Sequence, residues 1–135
     1  MTLDDVRKCY QDSSKQAGDV GRTLSFAGIA VVWIFKTGDG SAAAVPAALI
    51  PALFCFATSL GLDLAQYLAA SAIWGYYGRH QEKWLHENGD AKNTFRAPTY
   101  LNWPAIAFFW LKSLSVVVGQ VLLIAFLVRR WNLLP

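Results

Sequence analysis

Residues 104–128 read PAIAFFWLKSLSVVVGQVLLIAFLV, a run with one ionisable side chain, Lys112, closed by Arg129, Arg130 and Trp131. About 20 apolar residues at ~1.5 Å each cross the ~30 Å hydrocarbon layer of a bilayer. This stretch therefore predicts a membrane-spanning helix, with Arg129, Arg130 and Trp131 as an interfacial anchor. Upstream, residues 46–77 read PAALIPALFCFATSLGLDLAQYLAASAIWGYY, with Asp63 the one ionised group. As a helix this segment measures roughly 48 Å. It exceeds the hydrocarbon thickness, so part of it is expected to leave the membrane or tilt. Pro46 suits a helix first turn, and Pro51 is a candidate kink.

A third apolar run, residues 23–35 (TLSFAGIAVVWIF), lies between Arg22 and Lys36. Its 13 residues fall short of the about 17–25 a span needs. Snorkelling of the flanking cations extends it, as does continuation of the helix from the preceding segment. That segment, residues 2–22, reads as amphipathic. Thr2 is a candidate N-cap, Asp4 and Asp5 suit the positive end of the dipole, and Leu3, Val6, Cys9 or Tyr10, Ala17 and Val20 form a partial apolar stripe. Residues 37–41 (TGDGS) read as a tight turn, and Asn88-Gly89-Asp90 as the stop of the second helix.

The composition agrees with this reading. The chain of 135 residues is 55% hydrophobic and 16% charged, against about 25% charged in soluble domains. A chain this short cannot bury such apolar blocks in water. The expected class is an all-α integral membrane protein with three transmembrane helices, an amphipathic N-terminal helix and cytoplasmic helix extensions. Its expected parts are a cytoplasmic arm (1–22), transmembrane helix 1 (23–36), long helix 2 with a cytoplasmic extension (46–78), a cytoplasmic loop (79–103), transmembrane helix 3 (104–128) and an external tail (129–135). A basic n-region directly before an apolar start is missing, so no cleaved leader is expected.

Several function classes are disfavoured. A net charge of +3 without a basic run gives no nucleic-acid footprint. Cys9 and Cys55 have neither disulfide context nor metal spacing. His80 and His86 are six apart on a polar helix, off a common face and without an acidic ligand, so no metal is expected. No nucleotide fingerprint or nucleophile–base arrangement stands out. The chain is expected not to be an enzyme and to need no cofactor.

Orientation follows from the basic residues. The arm and the 79–103 loop hold eight (Arg7, Lys8, Lys15, Arg22, Arg79, Lys83, Lys92, Arg96), against three on the other side (Lys36, Arg129, Arg130). The positive-inside rule places the N-terminus in the cytoplasm and the C-terminus outside, in a bacterial-type inner membrane.

Asp63 and Lys112 are the costly residues, at about +2.5–3.5 kcal/mol each near a bilayer centre. Sixteen residues separate Pro46 from Asp63, sixteen Lys112 from Arg129, and thirteen Arg22 from Lys36. Each count corresponds to about 20–24 Å of helix. The three groups are thus expected in one layer near the cytoplasmic face, two cations flanking a carboxylate. An alternative places Asp63 at mid-membrane, nearer Gln120. The aromatic residues Trp74, Tyr76, Tyr77, Trp84, Tyr100, Trp103, Phe108, Phe109 and Trp110 are expected to pack the cytoplasmic extensions or to form an interfacial belt.

Polar and small residues also align. Cys55, Ser59, Asp63, Gln66 and Ala70 share a face of helix 2, and Lys112, Ser115, Gly119 and Gln120 share one of helix 3. Gly21, Ser25 and Gly28 share one of helix 1. Such stripes either glue helices together or line a pore in an oligomer. A monomer is expected to leave them facing lipid or buried without use, which argues for a homo-oligomer. The expected function is an ion-conducting or membrane-permeabilising effector gated from the cytoplasm. Its pore or gate candidates are Arg22, Ser59, Asp63, Gln66, Lys112, Ser115 and Gln120, with Gly21, Ser25, Gly28 and Gly119 packing helices. In size and layout, not by any motif, it resembles small phage-lysis or antiviral membrane effectors. The alternative is a non-conducting anchor subunit that docks a cytosolic protein partner.

Overall fold

The computed structural model describes residues 3–38, 44–88 and 98–133. Three long helices dominate these: α1 (Leu3–Ile34), α2 (Ile50–Asn88) and α3 (Trp103–Trp131). No proline precedes Pro46, and nothing interrupts α1 at residue 22. The amphipathic arm and the short apolar run are therefore one helix of 32 residues, about 48 Å long. This removes the length deficit of residues 23–35.

α2 and α3 start alike. A proline, Pro46 or Pro98, precedes a 3-10 turn (Ala47–Leu49 or Thr99–Asn102), which leads into the helix. A second proline, Pro51 or Pro104, then occupies the second helical position. There its missing N–H costs no hydrogen bond and its fixed φ fits. Pro51 thus opens α2 and does not kink its interior, and α2 begins at Ile50 instead of Pro46. α2 continues to Asn88, the expected helix stop, so residues 79–88 of the 79–103 segment extend the second helix. The turn after α1 is closed by paired backbone bonds, Thr37 N to Ala44 O (2.9 Å) and Ala44 N to Thr37 O (2.8 Å). Gly38 sits at φ 104°, a conformation that a Cβ would strain. Thr2, residues 39–43 of the turn, Gly89 and Asp90 of the helix stop, and Lys92 and Arg96 lie outside the described residues.

The helices alternate in direction, and their facing residues recur three and four apart. The seams run Gly21, Ser25, Gly28 and Val32 on α1 with Phe35 just past its end; Leu49 of the 3-10 turn, then Ala52, Phe56, Ser59 and Asp63 on α2; and Lys112, Val116, Gly119, Leu123 and Phe126 on α3. This 3.5-residue repeat is that of a helix bundle. It is also why the stripes expected on α2 and α3 are each partly misplaced. Phe56 takes the seam beside Cys55, and Val116 takes it beside Ser115.

Polar groups share the buried seams with the apolar core of Val32, Leu49, Ala52, Phe56, Val116 and Leu123, and large apolar side chains cover the outside. Ser25, Ser59, Asp63 and Lys112 are buried, whereas Phe26, Trp33, Ile34, Phe54, Leu64, Trp110, Leu111, Leu114, Val121 and Ile124 are exposed. Among the described residues three helical segments are long and apolar enough to cross a membrane: Lys8–Ile34, Ala47–Glu87 and Thr99–Trp131. The aromatic residues beyond Asp63 do not form a buried cluster. Trp74 and Tyr77 meet edge to face at 6.2 Å, but Tyr76, Tyr100, Trp103 and Trp110 are largely exposed, the disposition of a belt.

Candidate functional site

Asp63 sits on the α2 seam, four residues past Ser59, and both other helices bring a cation to it. Arg22 Nε donates to Asp63 Oδ2 at 2.8 Å, and Arg22 Nη2 lies 2.7 Å from the same oxygen. Lys112 Nζ makes a short ion-paired hydrogen bond to Oδ1. One carboxylate thus joins all three helices through both of its oxygens. The side chains of Asp63 and Lys112 are 12% and 10% exposed, that of Arg22 38%. The buried carboxylate and ammonium hold each other, while the guanidinium reaches outward. Arg22 Nη2 also donates to the Tyr67 hydroxyl at 3.3 Å, and Nη1 lies 3.7 Å from Asp19.

Lys112 brings its ammonium to this position beside an aromatic ring and a glycine. Its ammonium lies 5.8 Å from the Phe109 ring centroid, and a Cβ built on Gly18 would be 3.7 Å from Nζ.

Above the charged layer lies a neutral polar one. The Ser25 hydroxyl donates to its own helix at Gly21 O (2.9 Å) and lies 3.3 Å from Ser59 Oγ. Above that, the buried Phe56 ring fills the axis. A Cβ on Gly28 would fall 2.5 Å from Phe56 Cζ, and one on Gly119 2.8 Å from Cε1. Both glycines are therefore needed to admit the ring. Gly21 is not: a Cβ there would meet Val116 Cγ2 at an ordinary 3.8 Å. At the far end, Phe35 and Phe126 meet edge to face at 5.5 Å, with Arg130 over the Phe35 ring at 5.3 Å.

The sequence-derived candidates divide accordingly. Arg22, Asp63 and Lys112 share a layer, and Ser25 and Ser59 form the next. Ser115 lies off the seam. Gln120 lies beside it, its amide donating to Leu24 O at 3.3 Å, so Asp63 is paired with Lys112 and not with Gln120. Gln66 borders the charged layer on its other side, and its Oε1 is buried without a partner among the described residues. The polar stripes face one another within a single chain. Of the two fates expected of the stripes in a monomer, the structure shows burial for Ser59, Asp63 and Lys112.

Tyr67, Asp19 and Phe56 were missed from the sequence. Tyr67 had a signal, four residues after Asp63 on the same face. Phe56 had none, being one apolar residue in an apolar run. Among the described residues no group of three His, Cys, Asp or Glu side chains could hold a metal ion. No protein-family model, curated protein or solved structure matches the chain.

Proposed function

We propose that the chain is a three-span membrane effector that conducts ions or permeabilises the bilayer as a homo-oligomer, with Arg22, Asp63 and Lys112 as the lock of its closed state. The observation behind this reading is a charge network of three residues on three helices, within segments whose outward faces are apolar. From that layer to Lys36 or Arg129 is about 20–24 Å of helix. A ~30 Å hydrocarbon layer then puts the network one or two turns inside one membrane face. Asp63 and Lys112 stay paired between α2 and α3, and freeing the part-exposed Arg22 of α1 from Asp63 costs up to about 1 kcal/mol, a several-fold bias toward the closed population. Phe56 fills the axis of one chain, so conduction requires α1 to move off the α2–α3 pair or several copies to assemble. The inner-membrane location, cytoplasmic N-terminus and antiviral or lytic role belong to this proposal.

One observation favours a second reading. α2 is 39 residues long, about 58 Å, nearly twice what a span needs. Its last turns, with the start of α1, form a platform on which an anchor subunit would dock a cytosolic protein.

Liposome flux separates the two. Under the pore reading, purified protein releases a potassium gradient, and Arg22→Gln, which leaves the Asp63–Lys112 pair in place, raises the rate several-fold. Wild-type and variant liposomes that both hold their gradient, from protein that is folded and inserted, would end the pore reading and leave the anchor.

A further inference from the structure

Between the charged layer and the serine layer the three helices leave a narrow hole. Gly18, Arg22, Ser59, Asp63, Lys112 and Ser113 line it, with apolar neighbours. Its free volume is about 10 Å³. One ordered water needs about 10–15 Å³ on that measure, so nothing larger fits.

The donors and acceptors around the hole do not match one another. Lys112 carries three N–H donors, and Asp63 Oδ1 takes one of them. No oxygen among the described residues accepts from the other two, although the side chain is only 10% exposed. Ser113 gives its hydroxyl proton to Phe109 O at 2.8 Å. Ser25 gives its own to Gly21 O, which leaves the Ser59 proton for Ser25 Oγ at 3.3 Å. Ser59 Oγ is then an acceptor without a donor. One wall of the hole thus has N–H groups to spare and another has a lone pair to spare. Unmatched buried groups are costly, charged ones most of all.

The walls also decide the chemistry of the occupant. A cation would sit against Lys112 and Arg22, and an anion against Asp63. An apolar group would leave every polar atom unmatched. A neutral molecule that both donates and accepts suits all of them. We propose that the hole binds one ordered water. It accepts from Lys112 Nζ and donates to Ser59 Oγ and to the Asp63 carboxylate, three bonds, the usual number for a buried water. The water makes one network of two layers, from the Tyr67 hydroxyl through Arg22, Asp63 and Lys112 to Ser59, Ser25 and Gly21 O. It also links Lys112 of α3 to Ser25 of α1, helices that the charged layer joins only through Asp63. The site rests on neither the pore nor the anchor reading.

Water-edited solid-state NMR of the full chain, isotope-labelled and reconstituted in lipid bilayers, tests this. Magnetisation that starts on water is followed to each side chain. Ser59 is 4% exposed and should lag far behind the exposed Ser13 unless a water sits beside it. The expected result is a build-up at Ser59 close to that of Ser13, with the fully buried Ala52 several-fold slower. Gly18→Ala is the deciding variant. Its added methyl carbon lies 3.7 Å from Lys112 Nζ, an ordinary contact that leaves every charge in place and takes the room of the water. It should slow the build-up at Ser59 several-fold and leave that at Ser13 unchanged. The proposal is overturned if wild-type Ser59 is as slow as Ala52, a comparison that needs no variant. It is equally overturned if Ser59 builds up as fast in Gly18→Ala as in the wild type, because the magnetisation would then arrive from the Lys112 ammonium and not from a water in the hole.

Discussion

Asp63 holds two cations from different helices, and the three partners are unequal. Asp63 and Lys112 are nearly enclosed, whereas Arg22 keeps over a third of its side chain exposed. A buried pair deprived of one member leaves the other unpaired, at about 3–5 kcal/mol, while an apolar pair of similar volume in its place is often neutral. Asp63→Asn should therefore destabilise the detergent-solubilised protein by about 3 kcal/mol or more, by stranding Lys112. The double variant Asp63→Leu/Lys112→Met should recover most of that loss. Arg22→Gln should cost under about 1 kcal/mol, since a half-exposed guanidinium is screened. Thermal or denaturant unfolding of the four proteins checks the order. A double variant as unstable as Asp63→Asn would mean that the ion pair contributes net stability and does more than satisfy its own burial.

Helix approach is decided at the next scale by the Phe56 ring, which reaches between α1 and α3 because Gly28 and Gly119 face it. Gly28→Ala places a Cβ inside that ring's contact distance, and the ring is fully buried with nowhere to turn. Overpacking of this kind costs about 1–3 kcal/mol. Gly21→Ala meets only ordinary contact with Val116 and gains up to about 1 kcal/mol of helix propensity. The two variants, on one face of one helix, should thus shift the unfolding midpoint in opposite directions, and equal losses would refute the packing described. These elements also show how far the sequence could be read. The three long apolar helices followed from runs of apolar residues, the glycine face of α1 from helical spacing, and the shared level of Arg22, Asp63 and Lys112 from counting residues between charges, because rise per residue is fixed. The choice of Phe56 over Cys55 and Val116 over Ser115 did not follow. In an apolar run the inward face is set by what the neighbouring helices offer, and hydrophobicity no longer distinguishes inside from outside. Nor did the sequence show that α1 covers the polar faces of α2 and α3, which only three packed helices reveal.

For the whole molecule, three alternating helices put the chain's ends on opposite sides of any bilayer they cross. The exposed Cys9 lies near one end, and Leu133, 84% exposed, near the other. Basic residues favour the Cys9 end, eight to three, and the proposed orientation therefore has that end in the cytoplasm. Cys55 is half-buried on the apolar part of α2, where embedding of that helix keeps it from a membrane-impermeant reagent. A membrane-impermeant maleimide should therefore label Cys9 in inverted inner-membrane vesicles and not in intact spheroplasts. In a Cys9→Ser/Cys55→Ala background, Leu133→Cys should show the reverse. Labelling of both positions from one side would exclude three crossings, because an odd number of spans cannot return the chain to its starting face. Opposite sides with Cys9 outside would keep the three spans and invert the orientation. The charged layer would then lie at the external face, and a trigger acting on it would have to come from outside the cell.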